Sequence, residues 1–186
     1  FRLFAFLSFG QNNGLVEADS TNTRAARFHI ISQFLKLNPQ DKIVDIGSGK
    51  GSAILRVAED CPECFFTVED IDSNSCAKTV YLNKLKNSKT DISHFTFHIG
   101  NEKSTTLPDK KYTKVLMFDV IHELSNKAEM LSDVKRILQP EGSLFIEEIL
   151  VKRKVKKDKD CLFPFLNEVE FKQILKENGW NIDREE

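Results

Sequence analysis

The sequence is short of the features that mark several large protein classes. Its net charge over 186 residues is −1, so there is no global positive field of the kind that draws nucleic acid or anionic membranes. Its four cysteines include one C-x-x-C pair, Cys61 and Cys64, but no second such pair and no neighbouring His pair to complete a tetrahedral metal site. No metal is expected. The pair falls where a helix should give way to a strand, and it reads as incidental thiols rather than a redox dithiol. No Gly/Ser- or Pro-rich linker and no internal repeat divides the chain, so a single domain, long enough to bury a core, is expected. One Trp and two Tyr against fifteen Phe leave that core to be filled by phenylalanine.

There is also no initiator Met, and the chain reads as a piece of a longer one. Its first stretch, Phe-Arg-Leu-Phe-Ala-Phe-Leu-Ser-Phe-Gly-Gln over 1–11, is too short to span a bilayer, so no stable membrane insertion is expected. It has the length of the apolar part of an export signal, and it equally suits an apolar helix lying on the fold. Residues 1–21 are therefore set apart from a domain over 22–186.

What is present is an alternation of short apolar runs with helical patterns, which predicts an α/β protein with a parallel sheet. The runs cover 42–47, 65–70, 94–100, 114–119 and 143–150, with a sixth strand over 180–184. Several are continuously hydrophobic, as in strands covered on both faces. Helices are expected over 23–37 with Phe28, Ile31 and Leu35 inward, over 52–59, and after Ala77 with Val80, Tyr81 and Leu85 inward. Asn126 with Glu129, and Asn167 with Glu170, form candidate capping boxes for two more.

The first strand runs into Val44-Asp45-Ile46-Gly47-Ser48-Gly49-Lys50-Gly51. Glycines suit a tight strand-to-helix turn because a Cβ would block positive φ and the close approach of a ligand. The N–H groups opening the next helix suit a polar or anionic ligand group. A phosphate-binding Walker loop would need Gly-Lys-Ser/Thr after four intervening residues, which is absent. The dinucleotide fingerprint would need glycine where Ser52 stands. Further on, the second strand ends in Glu69-Asp70-Ile71-Asp72, where an acidic side chain about twenty positions past the glycines can take both hydroxyls of a ribose. Asp70 is best placed for that, with Glu69 pointing to the opposite face if the strand alternates.

With Ile99-Gly100-Asn101-Glu102, Leu107-Pro108 and Arg136-Ile-Leu-Gln-Pro-Glu-Gly142, these motifs resemble the class I S-adenosylmethionine-dependent methyltransferases, of the small-molecule, methyltransferase-11/25 type, from about Asn22 onward. The resemblance implies a doubly wound, mostly parallel, Rossmann-like sheet of seven strands whose antiparallel last strand is missing from this chain. It implies S-adenosyl-L-methionine as cofactor, held by Asp45, Gly47, Gly49, Gly51, Asp70, Ile71, Asn101, Glu102 and Asp119, with Asn101 standing where the family often has Asp. It also implies an enzyme, and a cytoplasmic one, since the cofactor is cytoplasmic; on that ground the helical reading of residues 1–11 is preferred over an export signal.

Phe118-Asp119-Val120-Ile121-His122-Glu123-Leu124 follows the fourth of the apolar runs, a segment that borders the transferred methyl in the family. His122 or Glu123 is the candidate base for an acceptor that must lose a proton; the alternative is that His122 only packs in its loop. The expected acceptor is a small molecule. A second reading, an RNA or protein methyltransferase, would use the basic run 152–159, which otherwise reads as a solvated loop. Against base amino groups, the Asn/Asp-Pro-Pro-Tyr tetrapeptide is absent. A third reading is a non-catalytic cofactor-binding module. The apolar Cys161–Leu166 segment is either a wall of the acceptor site or a connector on the sheet edge.

Overall fold

The computed structural model describes residues 2–8, 31, 34–86, 88–152 and 163–185. Its strands are β1 Arg2–Ser8, β2 Lys42–Ile46, β3 Phe65–Asp70, β4 Phe95–Ile99, β5 Tyr112–Phe118, β6 Leu138–Ile149 and β7 Asn181–Glu185. Its helices are α1 Ile54–Asp60, α2 Lys78–Leu85, α3 Lys127–Ile137 and α4 Glu168–Glu177, and Ile31, Phe34 and Leu35 are helical ahead of β2. The strands form one sheet in the order β4-β3-β2-β5-β6-β1-β7.

β2 to β6 are mutually parallel where they pair, because each connection crosses over through a helix or a long loop. Their middles are apolar on both faces: Val44, Val68, Val115, Leu116 and Leu144 are all fully buried. Two hydrophobic clusters result. One packs α1, α2 and the Ile31–Leu35 residues against Ile43, Phe66, Val68 and Phe145. The other packs Met130, Leu131, Val134 and Ile137 of α3 and Phe171 and Leu175 of α4 against Val44, Val115, Met117 and Ile146. The sheet is doubly wound. Successive strands build outward from β2 on one side and β5 on the other, so the strand order reverses between them, and ligands of such sheets bind at the carboxyl ends there.

Residues 2–8 of the N-terminal stretch form not a helix but strand β1, inserted antiparallel between β6 and β7. A Phe/Leu-rich run suits a pleated, buried surface as well as a helix, and the free edge of β6 decides for the strand. The antiparallel strand expected to be missing is thus supplied from the chain's beginning rather than its end.

Two smaller expectations change and one holds. Asn126 makes no side-chain cap to α3. Asn167 does cap α4, accepting from the Glu170 N–H at 2.9 Å while Glu170 reaches back to the Asn167 N–H at 3.1 Å. Cys61 and Cys64 are not incidental thiols: the turn after α1 brings their Cα atoms to 5.5 Å and the sulfurs are bonded. Most of the basic run 152–159, most of the helix expected over 23–37, and Cys161 and Leu162 lie outside the described residues.

Candidate functional site

The glycine turn leaves the end of β2 with φ of 65° at Gly47, 51° at Gly49 and 73° at Gly51. Space, as well as backbone freedom, requires glycine at two of them. A Cβ on Gly51 would stand 2.3 Å from the Tyr81 ring, and one on Gly47 would stand 2.7 Å from Cγ2 of Val120. Tyr81, fully buried on α2, donates its hydroxyl to the Gly49 carbonyl at 3.2 Å, and burial pushes its phenol well above its usual range. Around Gly49 a Cβ would meet nothing within 4 Å, so the middle of the turn opens onto free space.

Two neighbouring carboxyls hold the turn from β3, on opposite faces of the strand. Asp70 accepts from the Gly49 N–H at 2.7 Å and from the Asp72 N–H at 2.8 Å. Glu69 accepts from the Gly47 N–H at 3.4 Å, while its main-chain carbonyl accepts from the Ser48 N–H at 3.0 Å. The sequence reading set Glu69 aside because strand alternation turns it away from Asp70. It does turn away, but toward the first glycine, and strand period alone could not show that the turn crosses to that face. Asp45 lies 1% exposed beneath them with Oδ1 lacking a hydrogen-bond partner, and burial first, then the neighbouring acidic groups of Asp70 and Glu69, push its pKa well above the carboxylate range.

At the adjoining strand ends Ile71 is 60% and Ile99 48% exposed, unusual for isoleucines flanking a buried sheet. Asn101 turns its amide oxygen onto its own loop, accepting from the N–H groups of Lys103 at 2.9 Å and Ser104 at 3.1 Å. Glu102 is exposed and accepts from the Ser125 hydroxyl at 3.4 Å. That loop is anchored by Asp133 of α3, which accepts from the Thr105 N–H at 2.9 Å, the Thr105 hydroxyl at 2.7 Å and the Ser104 hydroxyl at 3.0 Å.

Past β5 the chain turns at Asp119, in the left-handed region with φ 56° that Asp tolerates better than most side chains, with its N–H given to the Glu147 carbonyl at 2.8 Å. A 3-10 turn over Ile121–Glu123 follows and buries His122. Its Nδ1 lies 2.6 Å from Oε1 of Glu148, a fully buried residue near the end of β6, and its Nε2 lies 3.2 Å from Oε1 of Glu123. Burial disfavours the charged ring, but the Glu148 hydrogen bond and the Glu148, Glu123 and Asp119 charges outweigh it and raise its pKa. Glu148 was missed from sequence: nothing in Ile146-Glu147-Glu148-Ile149 distinguishes a buried partner from a solvated strand end. A pocket of about 510 Å³ opens beside the ring, lined by Lys127, Phe163, Phe165, Leu166 and Ile174 among others, with the Phe165 ring 4.9 Å from that of His122. The described part of the Cys161–Leu166 segment is therefore pocket wall. Val120, in contact range of Gly47, joins this region to the glycine turn.

Residues 20–185 match the family model described as a methyltransferase domain. The chain belongs to that family. The family is that of the class I methyltransferases, whose methyl donor is S-adenosylmethionine. The domain is 26% identical over 124 residues to fusarielin synthase of Gibberella zeae, a match covering 65% of this chain and 5% of the length of that relative. Among solved structures, a methyltransferase from Bacillus halodurans superposes with a TM-score of 0.67 at 16% identity, over 84% of this chain and 68% of that one. The Haemonchus contortus phosphoethanolamine N-methyltransferase 2, solved with phosphomonomethylethanolamine and S-adenosylhomocysteine, superposes with a TM-score of 0.68 at 18% identity, over 84% of this chain and 37% of that one. These structural likenesses concern the fold.

The residues of this methyltransferase fit its cofactor. The cradle above Gly49 is open, two isoleucines stand exposed at the strand ends, and a buried carboxyl oxygen of Glu69 has no hydrogen-bond partner. Among the described residues, no helix is long and apolar enough to cross a membrane.

Proposed function

We propose that this methyltransferase acts on a small organic acceptor seated in the pocket beside His122, and that His122 takes the proton the acceptor loses as it is methylated. The observation that carries the reading is the buried His122–Glu148 pair, 2.6 Å apart, whose ring lines a pocket and stands two residues past Val120, which packs against Gly47 of the glycine turn. S-adenosylmethionine supplies an electrophilic methyl on a sulfonium, so the protein's tasks are to hold, align and desolvate the partners. The backbone of Gly47, Gly49 and Gly51, with Asp45 beneath, and Asp70, Ile71, Asn101, Glu102 and Asp119 are the proposed holding set. Phe163, Phe165, Leu166 and Ile174 exclude water from the acceptor. Glu148 fixes the ring's orientation and raises its basicity, and Glu123 lies 3.2 Å from Nε2, the ring nitrogen turned away from Glu148.

The Haemonchus contortus enzyme, solved with a small phosphorylated amine, supports a small-molecule acceptor for this fold. The acceptor here is expected to carry an apolar body with a polar or charged end, since Phe163, Phe165, Leu166 and Ile174 share the pocket with Lys127, Glu170 and Glu177. The test is transfer of labelled methyl from S-adenosylmethionine by the purified chain to phenols, carbon acids and amines, with bulk RNA and a protein lysate as competing acceptors. Label in the small molecules is expected. Label in RNA or protein alone would overturn the reading and move attention to the basic run after β6. The reading places the chain in the cytoplasm with its donor. The Cys61–Cys64 bond, of a kind that persists in oxidising compartments, pulls the other way, and thiol counting on protein taken directly from cells decides it.

A further inference from the structure

One oxygen of Glu69 has a surrounding that its hold on the glycine turn does not explain. Its side chain is 2% exposed. One oxygen accepts the long hydrogen bond from Gly47, and the other, Oε1, is buried with no hydrogen-bond partner. A buried polar atom left this way is costly in a folded protein and calls for a donor. Across from it stands Gly100, where a Cβ would lie 1.7 Å from Oε1; the absence of a side chain there is what makes room for the carboxyl. Oε1 therefore sits in a notch between the first residue of the glycine turn and the residue after β4, at the carboxyl edge where the strand order reverses.

The groups around it come from four elements. Asp45 lies on β2 and Asp70 is next along β3. From α3 Asp133 acts on it, and on β4 its register partner is His98, whose Nε2 is engaged 2.8 Å from the Thr106 hydroxyl. The charges acting on Glu69 are the Asp70 and Asp133 carboxylates, which add to burial; together they outweigh the Gly47 hydrogen bond and raise the group to about 8. In the free protein at neutral pH it holds its proton.

A ribose carries two vicinal hydroxyls, each able to donate, and a carboxylate accepts up to four hydrogen bonds. Donors aimed at the ionised form favour the carboxylate over the acid. Asp70 has already given an oxygen each to Gly49 and Asp72 and clamps the turn. We propose that Glu69 is a second acidic residue of the cofactor site, that its Oε1 receives a ribose hydroxyl, and that the Glu69 carboxyl releases its proton to solvent as that hydrogen bond forms. This rests on the reading of the glycine turn as the cofactor site.

The experiment is calorimetric titration of the purified chain with S-adenosylhomocysteine from pH 6 to 9, at each pH in two buffers of different ionisation enthalpy. The difference in heat counts protons directly. The expected result is release of about 0.9 proton per site at pH 7, falling toward zero by pH 9, with affinity rising about tenfold per unit below pH 7 and levelling above 9. Glu69→Gln, which keeps the side chain's size, should bind with no proton release and a flat pH profile. Asp70→Asn should bind more weakly at every pH and keep the release. Saturable binding with buffer-independent heats in the unmodified chain would overturn the proposal and leave the cofactor site standing. Release that survives Glu69→Gln would overturn it in favour of Asp45, the other buried acid. Failure to bind at any pH would sink the cofactor reading itself.

Discussion

The two halves of the carboxyl edge are held together by different means. On the β2–β4 side the groups proposed to face the ligand are largely backbone: three positive-φ glycines, their N–H groups, and two carboxyls that lock onto those N–H groups from the next strand. On the β5–β6 side they are side chains paired across the sheet, His122 from one loop and Glu148 from another strand, walled by residues of the segment before α4. A backbone-built half depends on what is missing, the side chains that glycine lacks. A side-chain-built half depends on particular functional groups, and those are free to differ when the acceptor differs. The first half should therefore fail through folding and cofactor binding, and the second through turnover.

The sharpest test of that division is His122→Ala. Turnover on whichever acceptor takes the label should fall about 10²–10⁴-fold, the usual contribution of a positioned base, while affinity for S-adenosylhomocysteine stays within about twofold. Glu148→Gln adds a second readout. The ring must be neutral to accept a proton, so the rate rises with pH through a His122 pKa that Glu148 holds above its ordinary value. Removing that charge should shift the rising limb to lower pH and lower the plateau rate. An equal loss of cofactor affinity in His122→Ala, or an unmoved pH limb in Glu148→Gln, would break the division.

The opposite failure is expected from Gly51→Ala. Its Cβ would enter the Tyr81 ring at 2.3 Å in a backbone conformation alanine resists, and together these should cost about 2–4 kcal/mol of stability. Gly49→Ala meets no neighbouring atom and carries only the backbone part, about 1–2 kcal/mol. Thermal or urea unfolding of the two variants measures the gap. Equal destabilisation would show that Tyr81 yields, and that the turn is governed by conformation alone.

The same division explains what could be read from the amino-acid sequence. β3 and the glycine turn are local patterns, and the structure has them where the spacing puts them. Asp70 is near the turn as expected, but Glu69 is nearer to Gly47, a fact of how two segments cross in space rather than of either one's period. Glu148 and β1 were invisible for a related reason. Each acquires its meaning from a partner far along the chain: His122 for the glutamate, the open edge of β6 for the Phe-rich strand, whose apolar run alone fits helix, strand or signal equally. The Cys61–Cys64 bond depends on a turn geometry that residue types do not specify.

The smallest contrast lies within the side-chain-built half, in its two helices. Both α3 and α4 begin after Asn with Glu three residues on, and the two are indistinguishable by motif. Only Asn167 closes the box, because its extended backbone, with φ −90° and ψ 168°, aims the side chain at the Glu170 N–H. Asn126, with φ −119° and ψ 65°, starts α3 from the loop that leaves His122, and its amide nitrogen donates instead to the Ser125 hydroxyl at 3.0 Å. Asn167→Ala should therefore cost about 1 kcal/mol, and Asn126→Ala less than about 0.5 kcal/mol. Urea unfolding of the pair resolves the difference. A larger loss at Asn126 would mean that α3 draws on its cap after all, and that the loop carrying His122 is held from the helix side rather than by Glu148.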